Sequence, residues 1–202
     1  MKDLVVLVAD KDMEQTVKAL LSRRQALNIK QITFDIHIHP QRDPGCFSRG
    51  EEFLRPFHNL YKYGLIIFDR EGCGRENLSR EDIEEDIENR LSSSGWGDRA
   101  LGIAIDPELE IWVWSDSPEV DQVLGWGTRS PELRTWLQEN NFLIDGQTKP
   151  ASPKEAVERV LKLTKKPRSA SLYFKLAERV GVNRCSDPAF LKLKTTLHNW
   201  FQ

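Results

Sequence analysis

No apolar stretch in this chain approaches the ~20 residues that a membrane-spanning helix needs, and its longest hydrophobic runs are strand-sized. Cysteine is scarce as well. Cys46, Cys73 and Cys185 are an odd, scattered set without a CxxC pair, which argues against a disulfide framework and against a zinc knuckle. Free thiols in a reducing compartment are the expectation. There is no signal-peptide pattern, because Met1-Lys2-Asp3 leads directly into a strand, so the chain reads as cytoplasmic with no membrane partner. Internal repeats and low-complexity tracts are missing too. What remains is a chain of 202 residues, 39% apolar and with six tryptophans, sufficient for one cored domain or one domain with an appendage.

The near-zero net charge hides a split. From Lys149 to Gln202 there are twelve Lys and Arg against four Asp and Glu, and the preceding residues hold seventeen against twenty-seven. The two regions therefore face different partners, or they attract one another within the fold.

Three apolar runs define the organisation: Leu4–Ala9, Leu65–Phe68 and Ala100–Ile105. Unbroken runs of this length are the signature of strands buried on both faces, as in a parallel sheet. A fourth segment, Gln31–His39, alternates as a half-buried or edge strand does. Between them, Val17, Leu20, Leu21, Ala26 and Leu27 recur at helical spacing. Pro40–Gly45 reads as a loop from its turn residues, and 50–60 as an amphipathic helix. Ser79 with Asp82 has the capping-box spacing at the start of a helix to about Leu91, which Ser92–Gly95 stops. After Asp106 the strand signals fade, and 118–124, 131–139, 153–163, 170–180 and 188–201 read as short helices, several with proline in the first turn. The expected fold is α/β, a mainly parallel sheet with flanking helices and a helical C-terminal region. The joint falls at Gly146–Pro150, dividing a core (1–145) from a basic helical region (146–202).

The chemistry gathers where strands end. Asp10, Asp12 and Glu14 follow the first run, Asp69 and Glu71 the second, and Asp106, Glu108 and Glu110 the third, with Asp116 beyond. Open α/β sheets bind ligands at the carboxyl ends of their strands. Hard cations such as Mg²⁺ take carboxylate oxygens together with waters and substrate phosphates. Acids converging from separate strands therefore point to a divalent-metal site; each acid alone reads equally as a helix cap or a solvated loop residue. Glu110 stands in an apolar context, Leu109-Glu110-Ile111-Trp112, where it either joins such a site or is a partly buried acid paired to an arginine.

Other patterns are weaker. His37 and His39 share one strand face but have no third ligand nearby, which favours a structural role. Gly72-Cys73-Gly74 lacks the GxxxxGK[ST] pattern of a phosphate loop. Lys162, Lys165, Lys166 and Arg168 cluster before a predicted helix at Ser169–Tyr173, where basic residues either grip phosphate or form a solvated surface.

With these residues in view, the chain resembles the TOPRIM-type metal-binding fold, and more narrowly TOPRIM-like proteins associated with bacterial anti-phage defence. In those proteins the first strand ends in Glu-Gly-x-Thr-Glu, a later one in Asp-x-Asp-Gly, and a Phe-Glu-x-Trp segment follows. The counterparts here are Asp10-Lys11-Asp12-Met13-Glu14, Asp69-Arg70-Glu71-Gly72 and Leu109-Glu110-Ile111-Trp112. The likeness spans roughly residues 3–125 and extends to accessory proteins of methylation-associated defence systems.

The resemblance implies Mg²⁺ or Mn²⁺ held by Asp10, Asp69, Glu71 and Glu110, with Asp10, Glu14, Asp69 and Glu71 carrying a nuclease or phosphodiester hydrolase reaction. The basic quartet would then hold a nucleic-acid backbone, and other subunits of a defence system are implied as partners. Three positions depart from the pattern: Asp10 replaces Glu, Lys11 replaces Gly, and Glu71 replaces the second Asp. They favour an alternative, a catalytically degenerate assembly subunit whose tryptophans furnish interface anchors. A third expectation is hydrolysis of a nucleotide or another small phosphate ester.

Overall fold

The computed structural model describes residues 1–202. Four strands, β1 (Lys2–Val8), β2 (Phe34–Ile38), β3 (Tyr61–Asp69) and β4 (Ala100–Ile105), form one all-parallel sheet in the order β2-β1-β3-β4. The helices in chain order are α1 (Lys11–Ser22), α2 (Arg24–Leu27), α3 (Arg42–Leu54) and α4 (Arg80–Leu91). After the sheet come α5 (Glu110–Val113), α6 (Pro118–Leu124), α7 (Leu133–Glu139), α8 (Pro153–Thr164), α9 (Ala170–Arg179) and α10 (Pro188–Phe201). The chain is α/β, as its alternation of apolar runs and helical patterns implied.

The central strands β1 and β3 are almost wholly buried, which is why their sequences are continuous apolar runs rather than alternating ones. Each fully buried Leu, Ile or Val contributes roughly 1.5–3 kcal/mol relative to exposure. Right-handed crossovers send α1 to one face and α3 and α4 to the other. Side chains agree: Ile66 meets Gly50 of α3, and Gly102 lies against Ile87 of α4. On the opposite face Tyr63 stacks on Trp200 at 4.4 Å and meets Phe201 edge-on at 5.3 Å.

The C-terminal helices complete that second face: α9 packs on α1 and α10 lies against β4. One continuous apolar cluster runs from Leu4 to Phe201, and strands give way to helices after Ile105, so the core is shared across residue 146. Asp187 reinforces the union. It caps α10 by accepting from the Phe190 amide at 3.0 Å and also accepts from Trp112 Nε1 at 2.8 Å.

The outer edge of β4 carries unpaired backbone groups, a liability in any open sheet. Here side chains stand in for a fifth strand. Glu84 of α4 accepts from the Ala104 amide at 2.9 Å, and Lys192 of α10 donates to the Gly102 carbonyl at 3.1 Å. Lys192 also meets Glu84 at 3.0 Å and Glu88 at 2.6 Å, and Arg80 meets Glu84 at 2.7 Å.

Two sequence expectations are corrected. The 40–45 segment is not a loop throughout: α3 begins at Arg42 and ends at Leu54, followed by a 3₁₀ turn at Arg55–Phe57. Pro44 lies in the first turn, where its missing N–H is harmless. Gly45 is there for close approach, because a Cβ would lie 2.0 Å from His39 Nδ1. The tryptophans are not free anchors either. Trp96, Trp112, Trp114 and Trp126 are buried, and Trp136 and Trp200 are half-buried. The capping box at Ser79 and Asp82 is present as expected, and all three cysteines are free and buried. No helix is long and apolar enough to cross a membrane.

Candidate functional site

In the order β2-β1-β3-β4 the chain moves one way from β1 and then returns across it, so the topological switch point lies between β1 and β3. The crevice beyond the carboxyl ends of such a strand pair is where open α/β sheets bind ligands. A cleft of about 750 Å³ opens there, and most of its lining is polar.

Each element supplies its part. Asp10 follows β1 as the N-cap of α1 and accepts from the Met13 amide at 2.9 Å, while Asp12 lies one residue into the helix. Asp69 ends β3, with Glu71 just beyond. Asp43 comes from the first turn of α3 and accepts the Asp69 amide at 2.9 Å. The segment after β4 provides Glu108 and Glu110. The start of α8 closes one side, its Lys154 donating to Glu108 from the backbone amide at 3.0 Å and reaching it with Nζ at 3.4 Å.

Asp69 is the electrostatic centre. Its Oδ1 is buried and accepts no hydrogen bond. Burial, then the charges of Asp43, Glu110, Asp10 and Glu108, push its carboxyl well above the ordinary carboxylate range. Burial likewise raises Asp43, against the pull of the Asp69 amide, and raises Asp12, where Asp10 adds to the effect. Glu108 rises through burial and its neighbour Glu110, with Lys154 opposing.

Glu110 is nearly inaccessible, at 2% side-chain exposure, but it is not orphaned. It accepts from Arg168 at 2.9 Å and from the Tyr173 hydroxyl. The same guanidinium reaches Asp12 at 3.2 Å and Glu158 at 3.2 Å, and it lies 5.6 Å from the Tyr173 ring centroid. Burial works against the Arg168 charge, and Tyr173, Glu110 and Asp12 outweigh it.

The expected residues therefore separate. Asp10, Asp69, Glu71 and Glu110 all line the cleft, joined by Asp12, Asp43, Glu108 and Glu158. Glu14 does not line it. It pairs with Lys11 one helical turn away. Asp106 pairs with Arg70 at 2.9 Å, and Asp116 lies 3.7 Å from Arg134, both outside the cleft.

The basic quartet divides too. Arg168 turns inward, Lys166 donates to the Val123 carbonyl at 2.8 Å, and Lys162 and Lys165 are exposed. Around Gly72-Cys73-Gly74, the Gly72 and Gly74 amides that a phosphate would need donate to Glu76 instead, at 2.9 and 3.1 Å. His37 stacks on Phe57 at 5.1 Å, and His39 is buried and accepts from the Gln41 amide at 3.1 Å.

No three His, Cys, Asp or Glu side chains form a group that could hold a metal ion unaided. Mg²⁺ does not demand that. It usually keeps several waters and binds through one or two carboxylates plus substrate phosphates. A free, buried oxygen on Asp69 beside Asp43, in a polar cleft of this volume, fits such an ion.

Sequence reasoning passed over Asp43, because proline and glycine around it read as a turn. It placed Arg168 against phosphate, since nothing local shows that its partners lie 58 and 156 residues away. Comparison with known proteins adds no assignment: no family model, no curated protein and no solved structure matches this chain.

Proposed function

We propose that the chain is a divalent-cation-binding, TOPRIM-like protein of anti-phage defence that hydrolyses phosphodiesters with Mg²⁺ or Mn²⁺. The observation that carries the reading is the unpartnered, buried Oδ1 of Asp69 at the switch point of a parallel sheet, ringed by acids. Leaving such an oxygen without a donor disfavours the fold, and a bound cation removes the penalty.

In this reading Asp69 and a second carboxylate of the cleft would hold the ion, with Asp10 and Glu71 beside them. When bound, Mg²⁺ supplies positive charge to the phosphoryl oxygens and lowers the pKa of a coordinated water. Asp10 is fixed through one oxygen by the Met13 amide and takes the proton of the attacking water. Glu14, held by Lys11, has no part in that step. Attack on phosphorus breaks the ester bond, and the leaving oxygen is protonated from solvent. Arg42 and Lys154, both lining the cleft, meet the charge of the flanking phosphates without reading sequence.

The test is direct. Purified protein is expected to gain melting temperature with Mg²⁺ or Mn²⁺ over chelator and to cleave DNA or RNA under the same conditions. Turnover of nucleotides alone would redirect the activity to small phosphate esters. Absence of both the thermal shift and any cleavage would sink the reading.

One observation favours the degenerate assembly subunit instead. Arg168 already places a cation among Asp12, Glu110 and Glu158. Under that second reading, Asp69→Asn leaves phage protection intact; under the first it abolishes protection while the protein stays folded.

A further inference from the structure

We infer that Asp43 is the second carboxylate of the cation site, partnered with Asp69, and that Glu110 serves Arg168 instead of the metal. The inference rests on the cation-binding reading above and assigns its ligands.

Two carboxylates in the cleft stand in opposite circumstances. Glu110 already has two donors on its Oε1, the guanidinium of Arg168 and the hydroxyl of Tyr173. To bind an ion it must give up a charge pair that is buried on the Glu110 side, and breaking such a pair leaves an uncompensated charge behind. Asp69 has an oxygen with no partner at all. A cation gains most where the protein has left negative charge unanswered.

Asp43 is tied to that position. Its Oδ1 accepts the Asp69 amide at 2.9 Å, so its carboxyl is held beside the end of β3 by a backbone bond rather than by a flexible loop. The turn that carries it is held as well. Gly45, two residues on, passes so close to His39 that any side chain there would collide, and His39 is itself buried at the end of β2. The start of α3 is thus locked against the sheet. A carboxylate on such a rigid support loses little conformational freedom on binding an ion. Two separate elements, the end of β3 and the first turn of α3, then frame one ion through Asp69 and Asp43. Waters and substrate fill the remaining positions.

The experiment uses the full-length chain and Mn²⁺ alone, titrated calorimetrically and checked by melting temperature with and without the ion. Asp43→Asn keeps an oxygen that can accept the Asp69 amide and removes only the charge. It is expected to weaken Mn²⁺ binding by about tenfold to a hundredfold, the scale seen even for outer partners of metal ligands. Asp43→Ser gives the same loss and serves if the asparagine variant fails to fold. Asp43→Glu restores part of the affinity. Glu110→Gln keeps acceptors for Arg168 and Tyr173, and its loss stays below about tenfold.

Binding by both Asp43 variants equal to the unaltered chain overturns this assignment, as does a loss in Glu110→Gln that matches theirs. If the unaltered chain itself gives neither heat nor a thermal shift with Mn²⁺, the cation-binding reading falls and takes this inference with it. The two failures are thereby distinguishable.

Discussion

Glu84 and Asp69 are carboxylates at two margins of the same sheet, and the protein treats them in opposite ways. At the outer edge of β4, Glu84 satisfies a strand amide and is met by both Arg80 and Lys192. At the end of β3, Asp69 is surrounded by other acids and keeps an oxygen that nothing satisfies. The first arrangement closes a sheet that would otherwise offer bare backbone to other chains. The second does nothing for the fold. Strained or unsatisfied groups cluster at functional sites, and the contrast sets an acid that serves the sheet apart from one that does not.

The comparison breaks most clearly at Glu84. Glu84→Ala leaves the Ala104 amide unpaired and two cations without their shared acid, a loss of about 3 kcal/mol or more. Urea and thermal unfolding are expected to show a melting temperature lower by roughly 10 °C. A change under 1 kcal/mol would mean that the edge clamp is decoration.

Arg168 sharpens the comparison, because it gives Glu110 what Asp69 lacks. Arg168→Gln is expected to destabilise by about 2 kcal/mol, less than a fully buried pair, since the guanidinium is 34% exposed. In a double-mutant cycle with Glu110→Gln, the second change should recover much of that loss. Strict additivity would show that the two do not act as a pair.

Asp69 should respond with the opposite sign. A carboxyl raised in the folded state holds its proton more tightly there than in the unfolded chain. Stability is therefore greatest below the ordinary carboxylate range and is lost as pH climbs toward the raised value. In chelator, melts between pH 4 and 8 are expected to fall with pH more steeply for the unaltered chain than for Asp69→Asn. The variant should be the more stable by about 1 kcal/mol at neutral pH. Parallel curves would remove Asp69 from its special place.

The sheet was legible because a strand buried on both faces has only one way to be written, and Leu4–Ala9, Leu65–Phe68 and Ala100–Ile105 are written that way. The capping box at Ser79 was legible because its two partners stand three residues apart. The site was half legible. Asp10, Asp69 and Glu110 could be collected because strand ends converge in any parallel sheet, whatever the helices between them do. Asp43 was hidden because Pro44 and Gly45 serve a helix start and a close approach to His39, and both uses look like a turn in sequence. Arg168 was hidden because its partners are remote in the chain.

The charge split was visible, and the structure shows one answer to it: Lys154–Glu108, Arg168–Asp12, Arg168–Glu110 and Lys192–Glu84 all join the basic region to the acidic one. Much of the apparent basic surface is spoken for from within.

The position of Arg168 also orders events during synthesis. Every acid of the cleft precedes it in the chain, so a growing polypeptide makes all of that negative charge before the residue that answers Glu110. Until the turn between α8 and α9 has left the ribosome, Glu110 cannot be buried with its charge compensated. Through that one guanidinium the turn between α8 and α9 is tied to the start of α1 and to the segment after β4.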